Sequence, residues 1–182
     1  MFKNKQDFPF LLSLESEWEA IRDEALNLRS GDFLAWPEKH LYEKGWDVFG
    51  LLAFGLEIKG NVKLCPKTAE LVKAIPGIVT AGFSSLQPDT HIAPHTGYPD
   101  GVLRAHLGLV GCEGCSLRVG EETKVWEEGK CFVFDDTTEH EVWHRGQKTR
   151  IVLLLDFRYP FTPDRGWREK LKNWLSPRGI KV

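Results

Sequence analysis

The chain has 182 residues, 42% hydrophobic and 27% charged, with a formal net charge of -2. That length suits one hydrophobic core, and the near-neutral balance excludes a whole-molecule basic field for holding nucleic acid. No apolar run approaches the ~18 residues of a membrane span, and the start MFKNKQDF is polar rather than signal-like. The expectation is a single cytoplasmic domain with neither nucleic-acid nor membrane partners.

The first third reads as helical and loop-rich. Leu11, Leu14, Trp18, Ile21, Ala25 and Leu28 recur at helical spacing, which predicts one amphipathic helix stopping near Ser30-Gly31. Residues 31–62 carry no long period, and their bulky side chains, from Phe33 and Trp36 to Phe54, predict a packed loop. Thr68 to Ile75 makes a short helix that Pro76-Gly77 ends.

From about residue 78 the period changes to that of strands. The expected strands are 78–86, 102–110, 115–119, 131–134, 140–144 and 149–157, with a polar loop from Pro88 to Gly97. Short strands after a helical layer suggest a β-sandwich or jelly roll with helices against one face. Residues 1–77 would support a core over 78–160. Pro160 and Pro163 close the last strand, and Trp167, Leu171, Trp174 and Leu175 predict a C-terminal helical segment over 161–182.

Five of the six histidines lie between positions 91 and 144, and the strands give them faces. In VLRAHLGLV (102–110), Arg104 and His106 share one face opposite Leu103, Ala105, Leu107 and Leu109. That polar face either meets water or lines an interior site. In HEVWH (140–144), His140, Val142 and His144 share a face, with Glu141 and Trp143 opposite. Arg150 opens the apolar strand TRIVLLLDF and needs an anion there: a ligand, or a carboxylate such as Asp135, Asp136 or Asp156. Two histidines on different strands, His95 and His140, could hold a first-row metal beside such a guanidinium. Cys112-Glu-Gly-Cys115 has the spacing of a redox pair or half a zinc site. With no second CxxC and a Glu-Gly turn between strand-like runs, structural thiols fit it better.

The stretches APHTG (93–97), LRAHLGL (103–109), WEEGKCFVFDDTTEHEVWH (126–144) and TRIVLLLDF (149–157) resemble the aspartyl/asparaginyl β-hydroxylases, as does FPFLLSLESEWEAIRDEAL (8–26). The resemblance implies a double-stranded β-helix, a jelly-roll or cupin-like core with an N-terminal helical layer. It also implies a dioxygenase that uses Fe(II), 2-oxoglutarate and O2. Matched position by position, His95 and His140 become the iron ligands, and Ser84 and Arg150 the grip on the distal carboxylate of 2-oxoglutarate. Arg104 and His106 fall at the iron-proximal end of that cosubstrate, where substrate also docks.

Gly97 stands where most 2-oxoglutarate oxygenases carry a ligating carboxylate, an absence that this family shares. Asp136 then becomes either the hydrogen-bond partner of a water in that position or a turn carboxylate of the DDTT loop. The implied substrate is a small molecule, amino acid or peptide, hydroxylated at an unactivated C–H such as the β-carbon of an Asp or Asn residue. Val102 replaces an arginine expected in animal members, and the tetratricopeptide-type region of those enzymes is missing, which weakens a folded-protein target. Lipid A, the substrate of a membrane-bound member, is disfavoured because no membrane segment is found here. The competing readings are a halogenase using the vacant ligand position, a non-catalytic cupin-like metal-binding or sensor domain, and a protein-interaction domain. His91 and His144 fit either support of the site or ordinary packing.

Overall fold

The computed structural model describes residues 1–97 and 101–160 of the chain; the helical segment expected over 161–182 lies outside them. In chain order the strands are β1 (Phe2–Lys3), β2 (Leu34–Ala35), β3 (Trp46–Ala53), β4 (Leu56–Glu57), β5 (Ile78–Leu86), β6 (His91–His95), β7 (Val102–Val110), β8 (Cys115–Val119), β9 (Glu122–Val125), β10 (Cys131–Asp135), β11 (His140–His144) and β12 (Arg150–Arg158). The α-helices are α1 (Leu11–Ser16), α2 (Trp18–Leu26), α3 (Lys59–Leu64) and α4 (Pro66–Lys73).

Two antiparallel sheets make a jelly roll. The larger runs β1-β10-β7-β12-β5-β3-β2, with β4 also pairing β3, and the smaller runs β6-β11-β8-β9. Strand alternation splits the core in two. On the larger sheet, Ala81, Phe83, Leu103, Leu107, Leu153 and Phe157 face Leu11, Leu14, Ile21 and Val72 of the helical layer. The opposite face meets the smaller sheet, where Trp46, Leu86 and Val152 pack against Ile92, Leu117 and Val142. The candidate site residues lie in this second layer.

Three departures from the sequence reading have local causes. The expected single helix breaks at Glu17 (φ -107, ψ 14), dividing it into α1 and α2. Residues 46–53, read as packed loop, form an eight-residue strand beside β5. Both faces of β3 are covered, so its sequence is nearly continuously apolar and carries no alternation to read.

The polar loop from 88 to 97 contains β6. There His140 pairs with His95 while Val142 pairs with Ile92, so two residues, Ala93 and Pro94, oppose the single Glu141. This β-bulge lets Ile92 and His95, three apart, turn to the same face of the smaller sheet.

Candidate active site

Directly opposed residues of antiparallel strands share a face, so the His95–His140 pairing brings the two imidazoles together. Their ring centroids are 4.2 Å apart. His95 Nδ1 lies 2.8 Å from the Ala93 carbonyl and His140 Nδ1 2.9 Å from the Thr138 carbonyl. A carbonyl only accepts, so each Nδ1 carries the proton and each Nε2 keeps its lone pair. This donor set fits a first-row metal. Burial, with His140 close by, lowers the His95 pKa to about 4, and burial lowers that of His140. Both rings are therefore neutral near pH 7, as ligands must be. Among the described residues, no group of three or more His, Cys, Asp and Glu is placed to hold a metal.

Position 97 is filled from elsewhere. A Cβ on Gly97 would overlap the Asp136 carboxylate. Asp136 is fully buried and accepts the Gly97 N–H on its carbonyl at 2.7 Å. Its Oδ1 lies 2.9 Å from Arg104 Nη1 and 3.5 Å from His140 Nε2. The acid missing at 97 is thus matched in space by one borne four residues before His140.

Arg104 shares a face with His106, as the parity of its strand predicts, and that face lines the interior rather than meeting water, but Arg104 arrives with partners. Asp156 is its directly opposed residue on β12 and accepts two parallel bonds, from Nε at 2.7 Å and Nη2 at 3.1 Å. Burial holds Asp156 above the usual carboxylate range despite that guanidinium. Asp156 therefore balances Arg104 rather than Arg150. The strand pairing shows this, and residue spacing alone does not.

Arg150 is the contrasting cation. Its side chain is buried, Nη2 donates to Ser84 Oγ at 3.1 Å, and the guanidinium lies 4.9 Å from the centre of the Trp126 ring. Ser84 Oγ is held in turn by Trp46 Nε1 at 3.1 Å. Of the candidate carboxylates, Asp135 pairs with Lys3 while Asp136 and Asp156 pair with Arg104. Arg150 Nε has no partner among the described residues.

His106 lines the same cleft. Trp126 Nε1 donates to its Nδ1 at 3.3 Å, which places the ring proton on Nε2, also without a partner there. Burial, then Arg150 and Arg104, hold His106 well below its ordinary pKa. Two buried donors beside a serine hydroxyl, with a cation unmatched by any described carboxylate, make a seat for an anion. Trp46 and Trp126, which brace this seat, carry no signal in the sequence beyond being aromatic.

The remaining candidates sort by face. His91 is on the outer face of the smaller sheet, stacked on Trp143, with its Nε2 donating to Glu141 at 2.7 Å. His144 Nε2 donates to the Lys148 carbonyl at 2.7 Å and so pins a turn. Cys112 and Cys115 are buried free thiols flanking a turn, where the Cys115 N–H donates to the Cys112 carbonyl at 3.2 Å. Burial raises the Cys112 thiol to about 12, and that of Cys115 upward, so neither behaves as a reactive thiol.

Two antiparallel sheets enclosing a paired set of imidazoles and a buried guanidinium make this a cupin-like jelly-roll domain. The profile of the Aspartyl/Asparaginyl beta-hydroxylase family matches residues 15–160, and the chain belongs to that family. It is 38% identical over 164 residues to the ornithine lipid ester-linked acyl 2-hydroxylase of Rhizobium tropici, covering 84% of this chain and 58% of that protein. It is 41% identical over 160 residues to the human aspartyl/asparaginyl beta-hydroxylase, covering 81% of this chain and 21% of that protein. The chain therefore spans less than two thirds of either relative. Among solved structures, a cupin domain of a transcriptional regulator from Enterobacter cloacae superposes with a TM-score of 0.45 at 12% identity, over 64% of this chain and 99% of that one.

Proposed function

We propose that this domain is an Fe(II)- and 2-oxoglutarate-dependent dioxygenase that hydroxylates an unactivated C–H. The observation that carries the proposal is Arg150, a buried cation that meets a serine hydroxyl, the Cys115 thiol and an aromatic face but no carboxylate among the described residues. It sits in the cleft that His95 and His140 also line. In this reading Arg150 and Ser84 take the distal carboxylate of 2-oxoglutarate, His106 Nε2 donates to its metal-proximal end, and His95 and His140 hold the iron. Arg104, held by two aspartates, positions Asp136 beside the ligands, and Asp136 orders the position that Gly97 leaves open.

Iron, when bound, supplies the activation of O2. Overall, one C–H, one O2 and one 2-oxoglutarate become one C–OH, one succinate and one CO2, so the cosubstrate provides the two electrons beyond those of the C–H bond. The chain's own contribution is to fix both carboxylates and to exclude water from the cleft. A halide in the open position would lie against the Asp136 carboxylate, which disfavours a halogenase. A sensor domain would leave Arg150 without an anion. A cytoplasmic setting belongs to the same proposal and is supported by four buried thiols, all free. Among the described residues, no helix is long and apolar enough to cross a membrane.

Anaerobic reconstitution with Fe(II) and 2-oxoglutarate, followed by O2 and measurement of succinate, tests the proposal. Iron-dependent succinate is expected, lost in His140→Ala. Arg150→Ala is expected to weaken 2-oxoglutarate binding about 100-fold, from loss of a charge-assisted bidentate contact. Unchanged affinity in that variant would remove Arg150 from the role.

A further inference from the structure

Trp126 touches both donors of the anion seat, although it belongs to neither of the strands that carry them. It lies on the segment linking β9 to β10. Backbone bonds lay that segment along β7: the Gly108 N–H donates to the Lys130 carbonyl at 3.1 Å, and the Gly129 N–H to the Gly108 carbonyl at 2.9 Å. Gly108 permits the approach, because a Cβ there would overlap the Glu127 carbonyl. It alternates onto the same face of β7 as His106, so the segment it admits brings the indole to that imidazole.

The two rings lie 20° from parallel with centroids 5.8 Å apart, and Trp126 Nε1 donates to His106 Nδ1 at 3.3 Å. An indole N–H can only donate. A proton on Nδ1 would set two donors head to head, where Trp126 is 3% and His106 7% exposed and water cannot take up either. The indole therefore admits one neutral tautomer, the one with Nε2 as donor. The other tautomer would turn a lone pair toward an incoming carboxylate.

The same side chain serves the second donor through its face. The Arg150 guanidinium lies 4.9 Å from the centre of the ring, a cation over the aromatic best suited to hold it. An arginine stem has many rotamers and an indole only two torsions, so the flexible partner is fixed by the stiff one.

We propose that Trp126 positions both donors of the seat, His106 through its N–H and Arg150 through its face, and so sets the length of 2-oxo diacid that fits between them. The inference rests on the hydroxylase reading of the same site and gives that reading a determinant of cosubstrate selectivity. His106 stands on β7 and Arg150 on β12. One rigid group in contact with both fixes their span more closely than two separate side chains can. A diacid longer by one methylene then forfeits a carboxylate contact at one end.

Titration calorimetry on the full chain, with Mn(II) in place of iron, compares 2-oxoglutarate with its longer homologue 2-oxoadipate. Loss of one hydrogen bond to a charged group should make 2-oxoadipate weaker by about tenfold or more. Trp126→Phe keeps a ring for Arg150 but no donor, and should weaken 2-oxoglutarate about tenfold on the same grounds. Trp126→Leu removes both contacts and should bring the preference between the diacids close to parity. A packing role alone would weaken both diacids by one factor and leave their ratio standing, which would overturn the assignment.

Imidazole nitrogen NMR on the metal-free chain reads the tautomer directly. Nε2 should carry the His106 proton in the wild type, and Trp126→Phe should show both tautomers. A wild-type proton on Nδ1 would overturn the proposal whether or not the variants fold. A wild-type chain that bound neither diacid while keeping the Nε2 proton would overturn the oxygenase reading, and the selectivity with it, and leave the hold of Trp126 on His106 standing.

Discussion

The two faces of the larger sheet come from the same strands and are buried to the same degree, yet they do opposite work. On β7 and β12, Leu103, Leu107, Leu153 and Phe157 face the helices, while Arg104, His106, Arg150 and Asp156 face the smaller sheet. The first face gains free energy from every methylene it removes from water. The second loses free energy from desolvation and regains it only where a charge meets its partner. Alternation places both on one backbone, so the aliphatic face holds rigid the strands that carry the costly one. Within the polar face the contrast repeats. Arg104 is matched by two aspartates, and Arg150 keeps its charge for something that the described chain does not provide.

The sharpest way to break this comparison is to remove a partner from the matched cation. Asp156→Ala takes two of its three aspartate contacts from buried Arg104 and should destabilise the fold by about 3–5 kcal/mol, read as a shift of the urea midpoint. Leu107→Ala on the helical face should cost about 2–5 kcal/mol as a cavity, at the lower end if the helices settle into it. If Leu107→Ala proved the more damaging by a wide margin, the Arg104–Asp156 pair would be less central than its geometry implies.

A smaller effect comes from pH. The folded His106 has a pKa well below its ordinary value, chiefly through burial, so the unfolded chain takes up the proton first as pH falls. Its contribution is fully present above the unfolded pKa of about 6.5 and is lost progressively as pH falls below it. His106→Gln should flatten that part of the stability-versus-pH curve. The smallest change is expected for Arg150→Met. An unbalanced buried cation exchanged for a hydrophobe of similar length should leave the melting temperature unchanged or raised, while 2-oxoglutarate binding weakens about 100-fold as in the alanine variant. A large loss of stability in that variant would mean that Arg150 is structural after all.

What could be read from the sequence follows the same division. The faces of β7 were legible because the strand is regular and one face is purely aliphatic. β3 was not, because helices cover one side and the site the other, so its pattern resembles that of no exposed strand. The inward turn of His95 depends on the bulge at Ala93 and Pro94, which residue periodicity does not announce. The partnership of Arg104 with Asp156 needs the register of two strands 52 residues apart in sequence. Nothing in the sequence marks Glu38 for burial; it is buried in a segment without a period, with Trp36 Nε1 donating to its Oε2 at 3.4 Å. Ser84 and Arg150 could be matched to a family pattern, but the emptiness of charge around Arg150 is a property of space alone.

Asp136 ties together parts of the chain that must not drift. Its carbonyl holds Gly97, two residues past one imidazole, its carboxylate holds Arg104 of the larger sheet, and the turn it opens after β10 leads four residues on to the other imidazole. The spacing of the two nitrogen donors is thereby set by protein contacts before any ion arrives. If the imidazole pair holds iron as proposed, the fold should not depend on that ion, unlike the small zinc modules that collapse when stripped. Loading would then be docking onto a finished berth, and a chelator should empty the berth while leaving the fold around it intact.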